Sequence, residues 1–185
     1  MSGSALLIGI LALWWFALRG PMLNLLRDAA EAFVQVNENS SGDWSVRAPI
    51  SILLPPTAQR PMPRQIHFVN LDLPRSDASR FTFSIPVYWA IILAIPSAQR
   101  KLRSFLVGTA IMAAFELVLL LTFIRMTAYD AISRIQGDPG FLGARRLVLY
   151  LVPNVLPYMI PFGLALALNR QLRVQVLKLP TKMNP

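Results

Sequence analysis

The chain has 185 residues, of which 55% are hydrophobic and only 15% charged, against about a quarter charged in soluble domains. With a mean hydropathy of +0.50, it does not fit a globule surrounded by water on all sides, and lipid is expected to be part of its solvent. Cysteine is absent and there is one histidine, which excludes disulfides, thiol nucleophiles and Cys-rich metal sites. Lys+Arg numbers 18 against 9 for Asp+Glu, a net charge of +9. Such a surplus reads either as a nucleic-acid face or as the cytoplasmic loops of a membrane protein.

Taken in order, the first apolar stretch runs from Ser4 to about Leu26, long enough for a spanning helix, which needs ~20 residues at ~1.5 Å rise each. It has no basic region ahead of it and no small-x-small site after Leu18, so it reads as an uncleaved helix rather than a signal peptide. Gly20-Pro21 predicts a kink. Met22, Leu26, Ala29 and Phe33 share one helical face, so the helix is expected to continue amphipathically to about Val36. Asn37 to Gly42 is a turn-rich break.

Trp44, Val46, Ala48, Ile50 and Ile52 then alternate with Ser45, Arg47, Pro49 and Ser51, the period of a half-buried strand, with Pro49 favouring an edge position. Pro55 to Arg64 is proline-rich and extended, a second strand is expected over Gln65 to Leu73, and a third extended piece from Arg80 into the next helix. This small external β-element should depend on contacts with the helices.

Three further apolar stretches follow: Thr82 to about Ala98, Ser104 to Ile124, and Leu147 to Leu168. The fold class expected is an all-α integral membrane protein, residues 1–185 forming one membrane domain with four transmembrane helices (about 4–26, 82–98, 104–124 and 147–168). The external segment is 27–81, the external loop 125–146 and the cytoplasmic tail 169–185.

Unopposed basic residues set the orientation. Arg100, Lys101 and Arg103 lie between the second and third spans, and Arg170, Arg173, Lys178 and Lys182 follow the fourth, with no acid in either segment. Both ends are therefore expected in the cytoplasm of a bacterial inner membrane. This distribution also weakens the nucleic-acid reading, because no single soluble module collects the positive charge.

Glu116 is the main anomaly, an acid inside the third span, where a charge is costly and wants a named partner. Arg19 is at a similar depth, ~22 Å up the first helix against ~18 Å up the third, and is the expected ion-pair partner. Tyr88, Tyr158 and Asn154 are alternative hydrogen-bond partners for a protonated Glu116. Structural cross-linking is favoured over proton relay, since no second intramembrane acid is present. Pro153, Pro157 and Pro161 fall on one face of the fourth helix, remove three backbone donors and predict a bend. Packing is favoured over a gate, because no internal repeat accompanies the prolines. His67, between Ile66 and Phe68 in the external segment, supports no catalytic motif. No catalytic, cofactor-binding or metal-binding group is expected, and no cofactor.

Three segments carry a resemblance. They are the aromatic first helix with its proline and extension (LWWFALRGPMLNLLRDAAEAF), the entry to the second span (FVNLDLPRSDASRFTFSIPVYWAIILAIP) and the proline-broken last helix (RRLVLYLVPNVLPYMIPFGLALALNRQLR). Together they span nearly the whole chain, which resembles the exosortase H-associated membrane proteins, small four-helix proteins of the bacterial inner membrane. The resemblance implies a non-enzymatic partner of a membrane sorting transpeptidase and carries over no catalytic residues. The expected partners are membrane lipids and other integral membrane subunits, an exosortase among them, and not nucleic acid. Two other readings stand beside it: a peripheral subunit of a photosynthetic, respiratory or secretion complex, and a small transporter or channel component using Glu116.

Overall fold

The computed structural model describes residues 3–54, 64–94, 101–136 and 142–168. It is mostly helical, with one three-stranded antiparallel sheet. Helix α1 (Gly3–Leu13) runs through a wider π-helical turn, Trp14–Leu18, into α2 (Arg19–Glu31). The Arg19 N–H reaches back to the Trp14 carbonyl, closing that turn. Pro21 explains its position. A proline ring clashes with the carbonyl four residues earlier, here Ala17, and the widened turn gives that carbonyl room. The break expected at Gly20-Pro21 is thus absorbed within a continuous helix.

That helix ends at Glu31, short of the expected Val36. Its buried face is Leu23, Leu26 and Ala30, whereas Phe33 is 60% exposed. Val36 instead belongs to strand β1 (Gln35–Glu38), where it pairs with Val46. The sheet offers this segment backbone partners that an isolated helix end lacks.

β1 turns into β2 (Trp44–Leu54), and β2 pairs on its other side with β3 (Arg64–Leu73), so the order is β1-β2-β3. Gly42 takes φ +81 in the first turn, and a side chain there would meet the Arg75 guanidinium at 3.0 Å, so only glycine fits. Val36, Trp44, Val46, Ala48 and Ile50 face inward and are buried, and Arg47 and Pro49 face outward. β2 is the central strand, but β1 pairs with it only as far as Arg47, so Pro49 lies where one side of β2 is open. The register with β3 slips between Pro49 and Ile52, as a proline without an N–H permits. The proline-rich stretch expected to be extended lies, from residue 55 to 63, outside the described residues.

The segment expected to lead extended from Arg80 into the second span is helical. α3 (Arg75–Phe81) and α4 (Ser84–Ala94) meet at a tight turn over Thr82 and Phe83. Asp77 in the first turn of α3 and Arg80 in its last complement the helix dipole. Residues 95–98, the expected end of the second span, lie outside the described residues.

α5 (Lys101–Gln136) has 36 residues, ~54 Å of helix, and extends beyond the expected Ser104–Ile124 at both ends. The described parts of the expected external loop 125–146 are therefore helix, in the end of α5 and the start of α6 (Leu142–Asn154). The reason is packing: Ile124, Ala128 and Ile132 recur every fourth residue on a buried face, and Asp130 pairs with Arg134 one turn on at 2.7 Å. α6 is followed by α7 (Leu156–Leu168), and the two are bent by 63°.

The buried residues form two clusters that share α5. One joins α2, the sheet and α3 to Leu119, Leu120, Ile124, Ala128 and Ile132 of α5 and to Val152 of α6. The other joins Ile85, Tyr88 and Ile92 of α4 to Met112 of α5 and Ala165 of α7. Tyr88 crosses α5 at Gly108: a methyl carbon there would lie 1.7 Å from the tyrosine oxygen, which donates to the Ser104 carbonyl at 2.6 Å. Among the described residues two helices, Ile8–Glu31 and Leu102–Arg134, are long and apolar enough to cross a membrane, and α6 with α7 makes a third when the bent pair counts as one span. α4 has only eleven described residues, short of the ~20 a span requires.

Candidate functional site

The segment Ser79–Ser84 at the α3–α4 turn is where the helices are tied together. Arg19 of α2 donates to the Ser79 hydroxyl at 2.9 Å, and the Ser79 hydroxyl in turn donates to the Ser76 carbonyl at 2.7 Å. Arg80 donates to Asn154 at 3.1 Å, at the end of α6, and pairs with Asp77 at 3.3 Å. The Phe81 ring packs on Phe123 of α5 at 5.6 Å. Thr82 caps the end of α3 through the Ser79 carbonyl at 3.0 Å. Phe83 lies between Trp14 at 5.3 Å, edge-on, and Tyr158 of α7 at 5.2 Å. The Ser84 hydroxyl donates to Glu116 of α5.

Two carboxylates from distant parts of the chain cap the two helices that meet here. Glu116, 3% exposed, accepts the Ser84 hydroxyl and the Ile85 N–H, both at the first turn of α4. That turn has fewer donors to satisfy because its third residue is Pro86. An acid at a helix N-terminus is stabilised by the free N–H groups and by the helix dipole. Asp43, in the β1–β2 turn, does the same for α3, accepting the Arg75 N–H at 2.9 Å and the Ser41 hydroxyl at 3.0 Å. The Arg75 N–H first, and the Ser41 hydroxyl second, hold the Asp43 carboxyl below the usual carboxylate range.

The ion pair expected between Arg19 and Glu116 is not formed. Similar depth was not sufficient, since the two side chains engage opposite ends of the α3–α4 turn. Arg19 binds Ser79 and covers the Trp15 ring, with its guanidinium carbon 4.6 Å from the centroid. The alternative partners of Glu116 are engaged elsewhere: Tyr88 with Ser104, Asn154 with Arg80 and the Tyr150 carbonyl at 2.9 Å, and Tyr158 with Phe83. Pro153 lies in the last turn of α6, Pro157 in the first turn of α7 and Pro161 within α7, all three buried. His67 is exposed on β3.

Ser79, Arg80, Phe83, Ser84 and Asp43 escaped the sequence reading. The alternation of polar and aromatic residues in Ser79–Ser84, just before a proline-bearing apolar helix, is the signal that points to them. Among the described residues no three His, Cys, Asp or Glu side chains cluster as a metal site. The arrangement binds helices to one another through hydrogen bonds, ring contacts and capped termini. Comparison of the chain with protein-family models, curated sequences and solved structures gives no match.

Proposed function

We propose that the chain is a non-enzymatic accessory subunit of a larger assembly in a bacterial inner membrane, crossing it four times with both ends in the cytoplasm. The observation that supports this most is the engagement of Arg19 and Glu116. The two ionisable groups, Arg19 at the outer end of the first apolar segment and Glu116 within the third, both hold the α3–α4 turn in place, which supports structural cross-linking over a transport path. In this reading α1 with its π turn, α4, the first part of α5 and α7 occupy the lipid. A hydrocarbon layer of ~30 Å starting at Lys101 ends near Leu121. The remaining part of α5 then carries the sheet outside, with the exposed Arg75 and Arg80 of α3 at the boundary.

The three segments that resemble exosortase H-associated proteins point to the surface-protein sorting system as the assembly. The sheet, raised on α5, presents Arg47, Asn70 and Asp72 outward, a polar face suited to contacts outside the membrane. Purification in mild detergent followed by mass spectrometry of co-purifying chains tests the proposal. Recovery of an exosortase or its substrates supports the sorting role. Co-purification with pigment- or haem-bearing chains places the protein in a bioenergetic complex instead, and a chain recovered alone that moves a solute across liposomes overturns the accessory reading.

A further inference from the structure

Arg19 is a cation without an anion. Among the described residues its hydrogen-bond partner is the neutral hydroxyl of Ser79, and it forms no ion pair. The nearest acid by depth, Glu116, is bound to the start of α4. A guanidinium has five N–H donors, so one bond to a hydroxyl leaves most of its capacity unused. A charge left so at the edge of the hydrocarbon is costly unless an anion meets it.

The surroundings indicate where that anion comes from. Arg19 lies over Trp15, which is 57% exposed, and the adjoining Phe16 is 86% exposed. Ile8 and Leu13, earlier on the same helix, are exposed as well. This helix face is therefore turned away from the protein. Ser79, which holds the guanidinium, sits on α3 beside the exposed Arg75 and Arg80 and the half-buried Asp77. Such charges belong at the level of the headgroups, and tryptophan beside arginine is the side-chain pair that favours that level. A phosphate offers several acceptor oxygens to a planar guanidinium, and arginine suits it better than lysine for that reason.

We propose that Arg19, aimed by Ser79 and Trp15, binds the phosphate of a membrane phospholipid, whose acyl chains lie along Phe16 and Ile8. The proposal rests on the membrane-spanning reading of α1 but not on any particular partner protein. It makes this corner of the chain a fixed lipid site at the outer end of the first span.

Native mass spectrometry of the purified full chain tests it, with micelles doped in turn with phosphatidylglycerol, phosphatidylethanolamine or diacylglycerol of the same acyl chains. We expect one molecule of either phospholipid to be retained and diacylglycerol to be lost. Arg19→Gln should weaken retention about tenfold or more, as loss of a charge-assisted contact does, and Arg19→Lys should lie between. Asp43→Ala, which loosens the start of α3 without touching Arg19, should keep the lipid and shows that a disturbed α3 is not the cause. Equal retention by Arg19→Gln overturns the proposal, as does equal retention of diacylglycerol. Release of the lipid by millimolar inorganic phosphate would mean a simple ion site and overturns it too. So would a partner chain whose carboxylate cross-links at position 19 in place of lipid. A chain that stays soluble and monomeric without detergent and retains no lipid of any kind would instead refute the membrane reading itself.

Discussion

The carboxylate of Glu116, in the middle of the longest helix, accepts the hydroxyl of Ser84, the residue that opens α4. With the Ile85 N–H as a second donor, an acid embedded among apolar residues serves as the cap of a neighbouring helix. Asp43 and Arg75 repeat the device for α3. The α3–α4 elbow is thus held at both helix starts by side chains far away in sequence.

Substitution at these positions should separate capping from ion pairing. Glu116→Leu or Ser84→Ala should each cost about 1–3 kcal/mol, the penalty for stranding a buried hydrogen-bonding group. Glu116→Gln keeps an acceptor and should lose least. In double-mutant cycles followed by thermal unfolding in detergent, Glu116 and Ser84 should couple, whereas Glu116 and Arg19 should be additive. Coupling of Glu116 with Arg19 alone would contradict the arrangement.

Gly108→Ala should destabilise the packing of α4 on α5. The added carbon would stand 1.7 Å from the Tyr88 oxygen and 2.1 Å from its Cζ, too near for adjustment without moving the ring. Overpacking of this kind costs about 1–3 kcal/mol. A smaller residue at position 88, as in Tyr88→Leu combined with Gly108→Ala, should recover part of the loss in melting temperature. Tyr88→Leu alone should also cost stability, through the lost bond to the Ser104 carbonyl.

The bend between α6 and α7 should depend on Pro157. Its nitrogen cannot bond to the Pro153 carbonyl, and the chain re-forms its ladder only through Tyr158 and Met159 to Val155, each at 3.1 Å. Pro157→Ala restores the missing donor. Spin labels near Gly143 and Leu168 should then move apart by about 5 Å, the difference between the bent pair and one straight helix. An unchanged separation would assign the bend to Arg80 and Asn154 instead.

Acid should loosen the start of α3 before the rest of the fold. The Asp43 carboxyl is held below its ordinary value by the Arg75 N–H and the Ser41 hydroxyl. A carboxyl whose folded pKa is depressed contributes stability above its unfolded pKa of ~3.9, and the contribution is lost as pH falls through the lower folded value. Exchange protection of the Arg75 amide should therefore decline below about pH 4, and Asp43→Asn should remove that pH dependence. Asp43 is half-buried in a surface turn, so the change is local.

Reporter fusions should place Gln99 in the cytoplasm and Gly42 outside. The unopposed Arg100, Lys101 and Arg103 keep the first of these in. Active external reporters at Gln99 would reverse the topology, and the phospholipid at Arg19 would then belong to the inner leaflet.

Much of the architecture was legible in the sequence, because the patterns that carry it are local. Alternation over Trp44–Ile52 marked β2, the residues Gln65 to Leu73 marked most of β3, and uninterrupted apolar runs marked the long helices. β1 was not legible: Phe33 to Val36 fits a helix face as well as a strand, and only a neighbouring β2 decides between them. α3 was missed for a similar reason, since its start is stabilised by Asp43, 32 residues away. The continuation of α5 past Arg125 depends on the buried faces of Ala128 and Ile132, which become apolar surfaces with a partner only when the sheet and α6 are in place.

The sequence by itself determined that the chain is rich in apolar helix, that it has no thiol chemistry, that Glu116 and Arg19 are anomalous where they stand, and that the last apolar run is interrupted by proline. Each of these follows from residue type and spacing along one segment. Only the tertiary structure decided what Glu116 and Arg19 touch. Depth along a helix is readable from a count of residues at ~1.5 Å each, but the direction of a side chain around the axis and the helix it meets are set by packing of the whole chain. Here that packing turned an expected ion pair into two separate contacts: Glu116 caps α4, and Arg19, among the described residues, binds the Ser79 hydroxyl and covers the Trp15 ring.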